Sequence, residues 1–242
     1  MDRALFAAAS GMAAQQRNLE TIADNLANSG VVGFKGSAQT FAELVEPGGG
    51  GVGTVARGAH VFFAQGKLAR SAGPFDLAID GPGFFALEDD RGGRCYSRDG
   101  QFSRAADGSL RNARDQRLAG LRIPAGAISA TVALDGTVRA TFENGTRTIG
   151  RIRIVEFPSP DGLRALDGTI FQATPQSGKP REVAAGSQDG PKLRFGMLEE
   201  SNVTIIDAMM QILSAQRAYE ANAKGVQAAD ELLRIANNLQ RG

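Results

Sequence analysis

The sequence has no tryptophan, one cysteine, one histidine and two tyrosines in 242 residues, and each shortage removes a class of chemistry. Cys95 alone cannot close a disulfide within the chain, and His60 alone cannot build a histidine-rich metal centre, so structural zinc and iron–sulfur sites fail on ligand count. A catalytic zinc would need His60 joined by Cys or carboxylates at recognisable spacing, and none is present. A serine triad has only the same histidine, which sits in the strand-like run Ala59-His60-Val61-Phe62-Phe63. Without tryptophan, a sugar-stacking face would rest on Tyr96, Tyr219 and phenylalanine alone. Surplus charge is missing too: 27 basic against 26 acidic side chains leave a net charge of +1, which argues against nucleic acid or an anionic membrane as partner. The uncharged stretch from Ala4 to Gln16 contains Ser10, Gly11, Gln15 and Gln16 and is too short for a membrane span. It is also a poor secretory signal. Asp2 offsets Arg3, only Leu5, Phe6 and Met12 are strongly apolar, and the same periodic pattern continues past any cleavage point. The N-terminus is therefore expected to be mature structure.

What the chain has in excess is glycine, 31 residues and about twice the usual ~7%. Many of these stand in turn dipeptides, at Asp80-Gly81, Asp99-Gly100, Asp107-Gly108, Asp135-Gly136, Asn144-Gly145, Asp161-Gly162, Asp167-Gly168 and Asp189-Gly190, which supply the positive φ angles of hairpin turns. They separate short β-type runs, among them 83–87, 94–98, 101–104, 130–134, 137–142 and 151–157. Residues 76–197 read as an all-β domain of meanders.

Both ends read differently. Leu5, Met12, Leu19 and Leu26 recur every seventh residue, with Ala8 and Ile22 at the intervening positions and Gln15 as one polar interruption. That is a coiled-coil-like seam, and it predicts a helix over about 3–28, ended by Asn28-Ser29-Gly30. Ile205, Ile212, Tyr219, Val226 and Leu233 repeat the device, with Met209, Gln216, Ala223, Asp230 and Asn237 as the other expected seam positions. Ser201 or Asn202 is the expected cap, and the pattern runs to Leu239. Ile206, Met210, Leu213, Leu232 and Ile235 broaden the stripe. The two helices pairing with each other would leave that broad stripe incompletely covered, so helical partners from other chains are expected. Gly225 inside the second helix costs about 1 kcal/mol relative to Ala unless packing needs it.

The fold class that follows is α+β: a discontinuous domain of long, coiled-coil-like N- and C-terminal helices plus a central all-β domain. The expected organisation is a helix in 1–30, an extended or loop connector in 31–75 with a glycine-rich bridge at Pro47–Gly53, the all-β domain in 76–197, and a second helix in 198–242 that packs with the first.

Motifs that would carry catalysis are weak. Gly48 to Gly51 lacks the Lys-Ser/Thr of a phosphate loop, Gly33-Phe34-Lys35-Gly36-Ser37 lacks the upstream strand, and Gly81-Pro82-Gly83 lacks the third glycine of a dinucleotide fingerprint. Asp89-Asp90 and Glu199-Glu200 are the paired carboxylates a glycosidase would need. The first pair sits on a hairpin tip and the second precedes a helix, where solvated acidic residues are ordinary.

The remaining motifs carry a resemblance. Gly11-Met12, Gln15-Gln16, Asn18, the run Ile22 to Asn28 (with Asn25, Leu26, Ala27 and Asn28) and Gly33-Phe34-Lys35 look like the N-terminal signature of bacterial flagellar axial proteins of the rod and hook group. Gln65 to Leu68, Asp76 to Phe85 and Tyr96 to Phe102 are similar to that group's β-domain. Ser201-Asn202-Val203 and the run Gln216-Arg217-Ala218-Tyr219-Glu220-Ala221-Asn222 complete the likeness. Within the group the chain resembles the basal-body rod proteins. Gln216 to Glu220 and Ala14 to Gln16 favour the distal-rod type, whereas Met1 to Leu5 is more like the proximal type. Ser29 to Val32 and the short Pro47–Gly53 bridge depart from both.

The resemblance implies a structural subunit, not an enzyme, with no cofactor, metal or small-molecule substrate. It implies helices packed around an export channel, β-domains outside them, and torque carried to the hook. Copies of the chain, other rod and hook axial proteins, surrounding ring proteins and the export apparatus are the implied partners. The implied location is the basal body across the periplasm, reached without a cleaved signal. The seam residues Leu5, Met12, Leu19, Ile22, Leu26, Ile205, Ile212, Tyr219, Val226 and Leu233 are the expected assembly contacts. The alternatives are a hook or other axial paralogue and, from another class, a binding or hydrolytic β-domain displayed on a coiled-coil stalk.

Overall fold

The computed structural model describes residues 2–45, 51–89, 92–187 and 190–239. Glycines 48–50, Asp90 and Asp189, singled out above, lie outside the described residues. The chain divides into two compact units. Unit 1 comprises Met1–Ala27, Gly36–Phe62 and Val203–Gly242; unit 2 comprises Asn28–Lys35 and Phe63–Asn202.

In unit 1, helix α1 spans Asp2–Ala27 and helix α2 spans Ile205–Leu239. The helices pack antiparallel: Gly11 meets Asn222 and Ala8 meets Gly225, while Ile22 joins Ala208 and Ala215 in a buried cluster flanked by Leu19, Leu26, Val203 and Ile212. α2 starts one residue after Thr204, whose Oγ1 accepts from the Asp207 amide at 3.1 Å and donates to the Asp207 carboxylate at 2.5 Å. Thr204 is thus the cap, in place of the expected Ser201 or Asn202. Asn202 is engaged within unit 2 instead, its amide donating to Phe34 O and its side chain to Ala64 O.

The segment expected as an extended connector, 31–75, contains a long antiparallel hairpin of β1 (Ser37–Val45) and β2 (Gly51–Val61). α1 positions it through a row of side chains one or two turns apart. The Ser10 hydroxyl accepts from the Thr54 amide, Arg17 donates to Ala56 O, Thr21 pairs with Gln39, and Asn25 exchanges two hydrogen bonds with the Ser37 backbone. Polar side chains replace the apolar periodicity that sequence reading depends on.

Unit 2 contains, in chain order, β3 (Leu68–Arg70), β4 (Leu77–Asp80), β5 (Phe84–Glu88), β6 (Arg94–Ser97), β7 (Ser103–Arg104), β8 (Ser109–Arg111), β9 (Arg117–Arg122), β10 (Ser129–Val132), β11 (Thr137–Phe142) and β12 (Gly145–Arg151). There follow β13 (Ile154–Glu156), β14 (Arg164–Asp167), β15 (Ile170–Gln172), β16 (Arg181–Val183), β17 (Lys192–Phe195) and β18 (Met197–Glu199). All pairings are antiparallel, and the largest sheet runs β14-β15-β6-β5-β9-β8-β7, with β13 joined to β5 and β16. Neighbours in β5 and β6 point to opposite faces. Phe85, Leu87 and Cys95 enter the main core with Leu77, Ile79, Leu110, Ile123, Ile152 and Leu193. Phe84 and Tyr96 join Phe63, Phe157 and Phe171 in an edge-to-face aromatic cluster on the other side.

A turn device occurs twice. In 105–109 and 133–137 the glycine amide donates to the alanine carbonyl three residues earlier, and the Asp carboxylate accepts from the following Ser109 or Thr137 amide. Gly108 and Gly136 have φ of 82° and 81°. Each glycine carbonyl then accepts from a core amide, Ile123 or Ile152.

Candidate assembly surface

The helix pair separates the two stripes of α2. An α-helix brings residues three and four apart onto one face. The face turned to α1 carries Ala208, Ile212, Ala215, Asn222, Val226 and Ala229, all buried or half-buried. The companions of the Ile212/Val226 row therefore stand three residues on, not four. Of the expected positions, Met209, Gln216 and Asp230 are exposed, Ala223 is half-buried, and the Asn237 side chain lies outside the described residues. Small alanines let the helices approach closely, and Ala208, Ala215 and Ala229 are not among the expected seam positions.

Ile205, Ile206, Met209, Met210, Leu213, Tyr219, Leu232 and Ile235 stay exposed, Ile206 to 72% and Met210 to 64%. The broad stripe expected to be buried is thus left open by the described residues. A run of large apolar side chains on one helix, next to the well-packed face of the same helix, has the character of a protein–protein contact surface.

The predicted contact residues fall into two groups. Leu5, Met12, Leu19, Leu26, Ile212 and Val226 are half-buried and Ile22 is buried, whereas Ile205 and Tyr219 are exposed. The Leu233 side chain lies outside the described residues. Among the motif residues, Asn25 is buried against Ser37, Gly33 and Phe34 are buried, Asn28 accepts from the Val31 amide, and Val203 packs beside Ile22. Ala27, Gln216, Arg217 and Glu220 are exposed on the two helices.

Three family models match successive parts of the chain: flagella basal body rod protein over residues 5–35, the D1 domain of flagellar hook protein FlgE/F/G over 78–140, and the C-terminal part of flagellar basal body rod FlgEFG protein over 195–239. The chain is 36% identical to the flagellar basal-body rod protein FlgG of Borreliella burgdorferi, with 100% of each chain covered. The chain belongs to the flagellar basal-body rod proteins. Among its relatives, FlgG of Bacillus subtilis is 32% identical with 100% of each chain covered. FlgF of Caulobacter vibrioides is 32% identical over 98% of this chain and 97% of that one. In this rod-family member the first matched segment is α1 with the strand-free 28–35 segment, and the last runs from Phe195 through α2.

One reading of a charged pair is overturned. Glu199, expected to be a solvated acid ahead of a helix, is fully buried in β18 and ion-paired to Lys35 and Arg98. Those cations lie more than a hundred residues away in the chain, so spacing gave no sign of the pairing.

Proposed function

We propose that this rod-family subunit assembles with copies of itself through the exposed apolar stripe of α2. The observation that carries the reading is the contrast along one helix: a small-residue face packed on α1, and a large-residue face left open to solvent. A surface that contacts a different surface of the next copy generates an open helical array when its rotation does not close into a ring, as a tubular shaft requires. The helices would surround the export channel, with the β-rich unit forming the outer layer and torque passing along the shaft to the hook. The distal-rod type is favoured, in line with the FlgG relatives. Other rod and hook axial proteins would be end-to-end neighbours, ring proteins would surround the shaft in the periplasm, and the export apparatus would deliver the chain without a cleaved signal.

The test is genetic and structural. A strain lacking this chain should build no complete rod and should not swim, and the wild-type copy should restore both. Normal rods in its absence would refute the proposal.

A further inference from the structure

The chain passes between the two units four times, at residues 27/28, 35/36, 62/63 and 202/203. Within unit 2, the ends of the segments beside three of these crossings converge on one carboxylate. Glu199 Oε1 accepts from Lys35 Nζ at 2.5 Å and from the Gly66 amide at 2.8 Å, while Oε2 accepts from Arg98 Nη1 at 3.1 Å. The backbone repeats the connection. The Gly33 amide donates to Glu199 O at 2.7 Å, the Glu200 amide to Lys67 O at 2.8 Å, and the Asn202 amide to Phe34 O at 3.4 Å. Lys35 Nζ and Asn202 Nδ2 both donate to Ala64 O.

The charges do not match one to one. Two cations face one anion, and the side chains of Lys35 and Glu199 are fully buried, that of Arg98 almost so. Burying such groups is expensive, and well-packed apolar side chains usually serve stability as well or better. The surplus positive charge is held by carbonyl oxygens, Ala64 for Lys35 and Ile79 and Gly81 for Arg98, with the Phe84 ring 5.5 Å from the guanidinium. Arg98 Nε has no hydrogen-bond partner among the described residues, so within them the arrangement is not a fully satisfied stability network. What it achieves is registry. Lys35, Gly66 and Glu199 bond segments that enter or leave unit 2 to one another, and Arg98 ties Glu199 to the sheet at Ile79 O and Gly81 O.

We infer that Glu199 is a positioning clasp: its carboxylate fixes segments 33–35, 64–67 and 199–202 of unit 2 against one another. This goes beyond the proposed assembly role and does not depend on it, because the clasp is a property of the single chain. Charge counting then orders the variants. Glu199→Gln leaves two buried cations with no anion, whereas Lys35→Met leaves a matched Arg98–Glu199 pair.

Hydrogen exchange of the purified full-length chain, read amide by amide by NMR, tests the clasp. Glu199→Gln should accelerate exchange at Gly33, Gly66, Glu200 and Asn202 by roughly tenfold or more, the loss of a charge-assisted hydrogen bond. Ile123 and Ile152, whose amides bond across the sheet turns, should be unchanged. Lys35→Met should give a smaller acceleration at the same four amides, and it decides the question alone if Glu199→Gln does not fold. Unchanged exchange at the four amides, equal acceleration at Ile123 and Ile152, or greater damage from Lys35→Met than from Glu199→Gln would overturn the inference.

Discussion

Gly11 of α1 faces Asn222 of α2 so closely that a Cβ on Gly11 would lie 2.9 Å from Asn222 Nδ2. The other helical glycine at this contact, Gly225, is different, because a Cβ there would sit 3.8 Å from the Ala8 Cβ, an ordinary van der Waals distance. The two glycines therefore differ in the room they leave for a side chain. Gly225→Ala should stabilise the chain by up to about 1 kcal/mol through helix propensity. Gly11→Leu should destabilise it by roughly 1–3 kcal/mol through overpacking. Thermal unfolding followed by circular dichroism measures both, and a shift of the same sign for the two would contradict this packing.

Cys95 points into the main core of unit 2, and burial pushes its thiol up to about 11. The thiolate is the reactive form. Alkylation near pH 8 should thus be slow in the native chain and fast in denaturant, and Cys95→Ala should cost about 1 kcal/mol without loss of motility. Rapid native labelling would count against a shielded thiol.

The repeated turns give a sharper stability test. A Cβ on Gly108 would meet Ile123 O at 2.2 Å and one on Gly136 would meet Ile152 O at 2.4 Å, and both positions also require positive φ. Gly108→Ala or Gly136→Ala should each destabilise unit 2 by roughly 1–3 kcal/mol, visible as a lower urea midpoint. An unchanged midpoint would show that these turns relax at no cost.

The same turns set an acid dependence. Hydrogen bonds from Ser109 and Thr137 hold the Asp107 and Asp135 carboxyls below their usual value of 3.8. A depressed carboxylate contributes stability that is present above its unfolded pKa and is lost as pH falls through the folded one. Wild-type stability should therefore decline below about pH 4, and Asp107→Asn with Asp135→Asn should flatten part of that decline. An identical acid profile in the double variant would remove these turns as its cause.

Much of this architecture is legible in the residues because it rests on local rules. Seven-residue spacing marks both helices, and Asp-Gly pairs mark turns at 107–108 and 135–136, where glycine geometry is obligatory. The runs 83–87 and 137–142 correspond to β5 and β11. Long-range relations are what sequence order hides. The β1–β2 hairpin is held to α1 by Ser10, Arg17, Thr21 and Asn25, polar residues that carry no hydrophobic period. Glu199 gains its partners only through the fold. Ala208, Ala215 and Ala229 of the α1–α2 contact are hard to see because small size, not hydrophobicity, suits them to close approach.

In the proposed assembly the open stripe of α2, and not its packed face, joins one copy to the next. Leu19 and Val226 are unsuitable test positions, because both are half-buried in the chain's own helical unit and a charge there would impair folding. Met210 and Leu213 are exposed, so Met210→Asp with Leu213→Asp should change monomer stability by only a few tenths of a kcal/mol. The decisive measurement is imaging of basal bodies in a strain whose sole copy carries both substitutions. The expected result is a folded, expressed chain and rods that stop before the hook. Complete rods bearing normal hooks would contradict it.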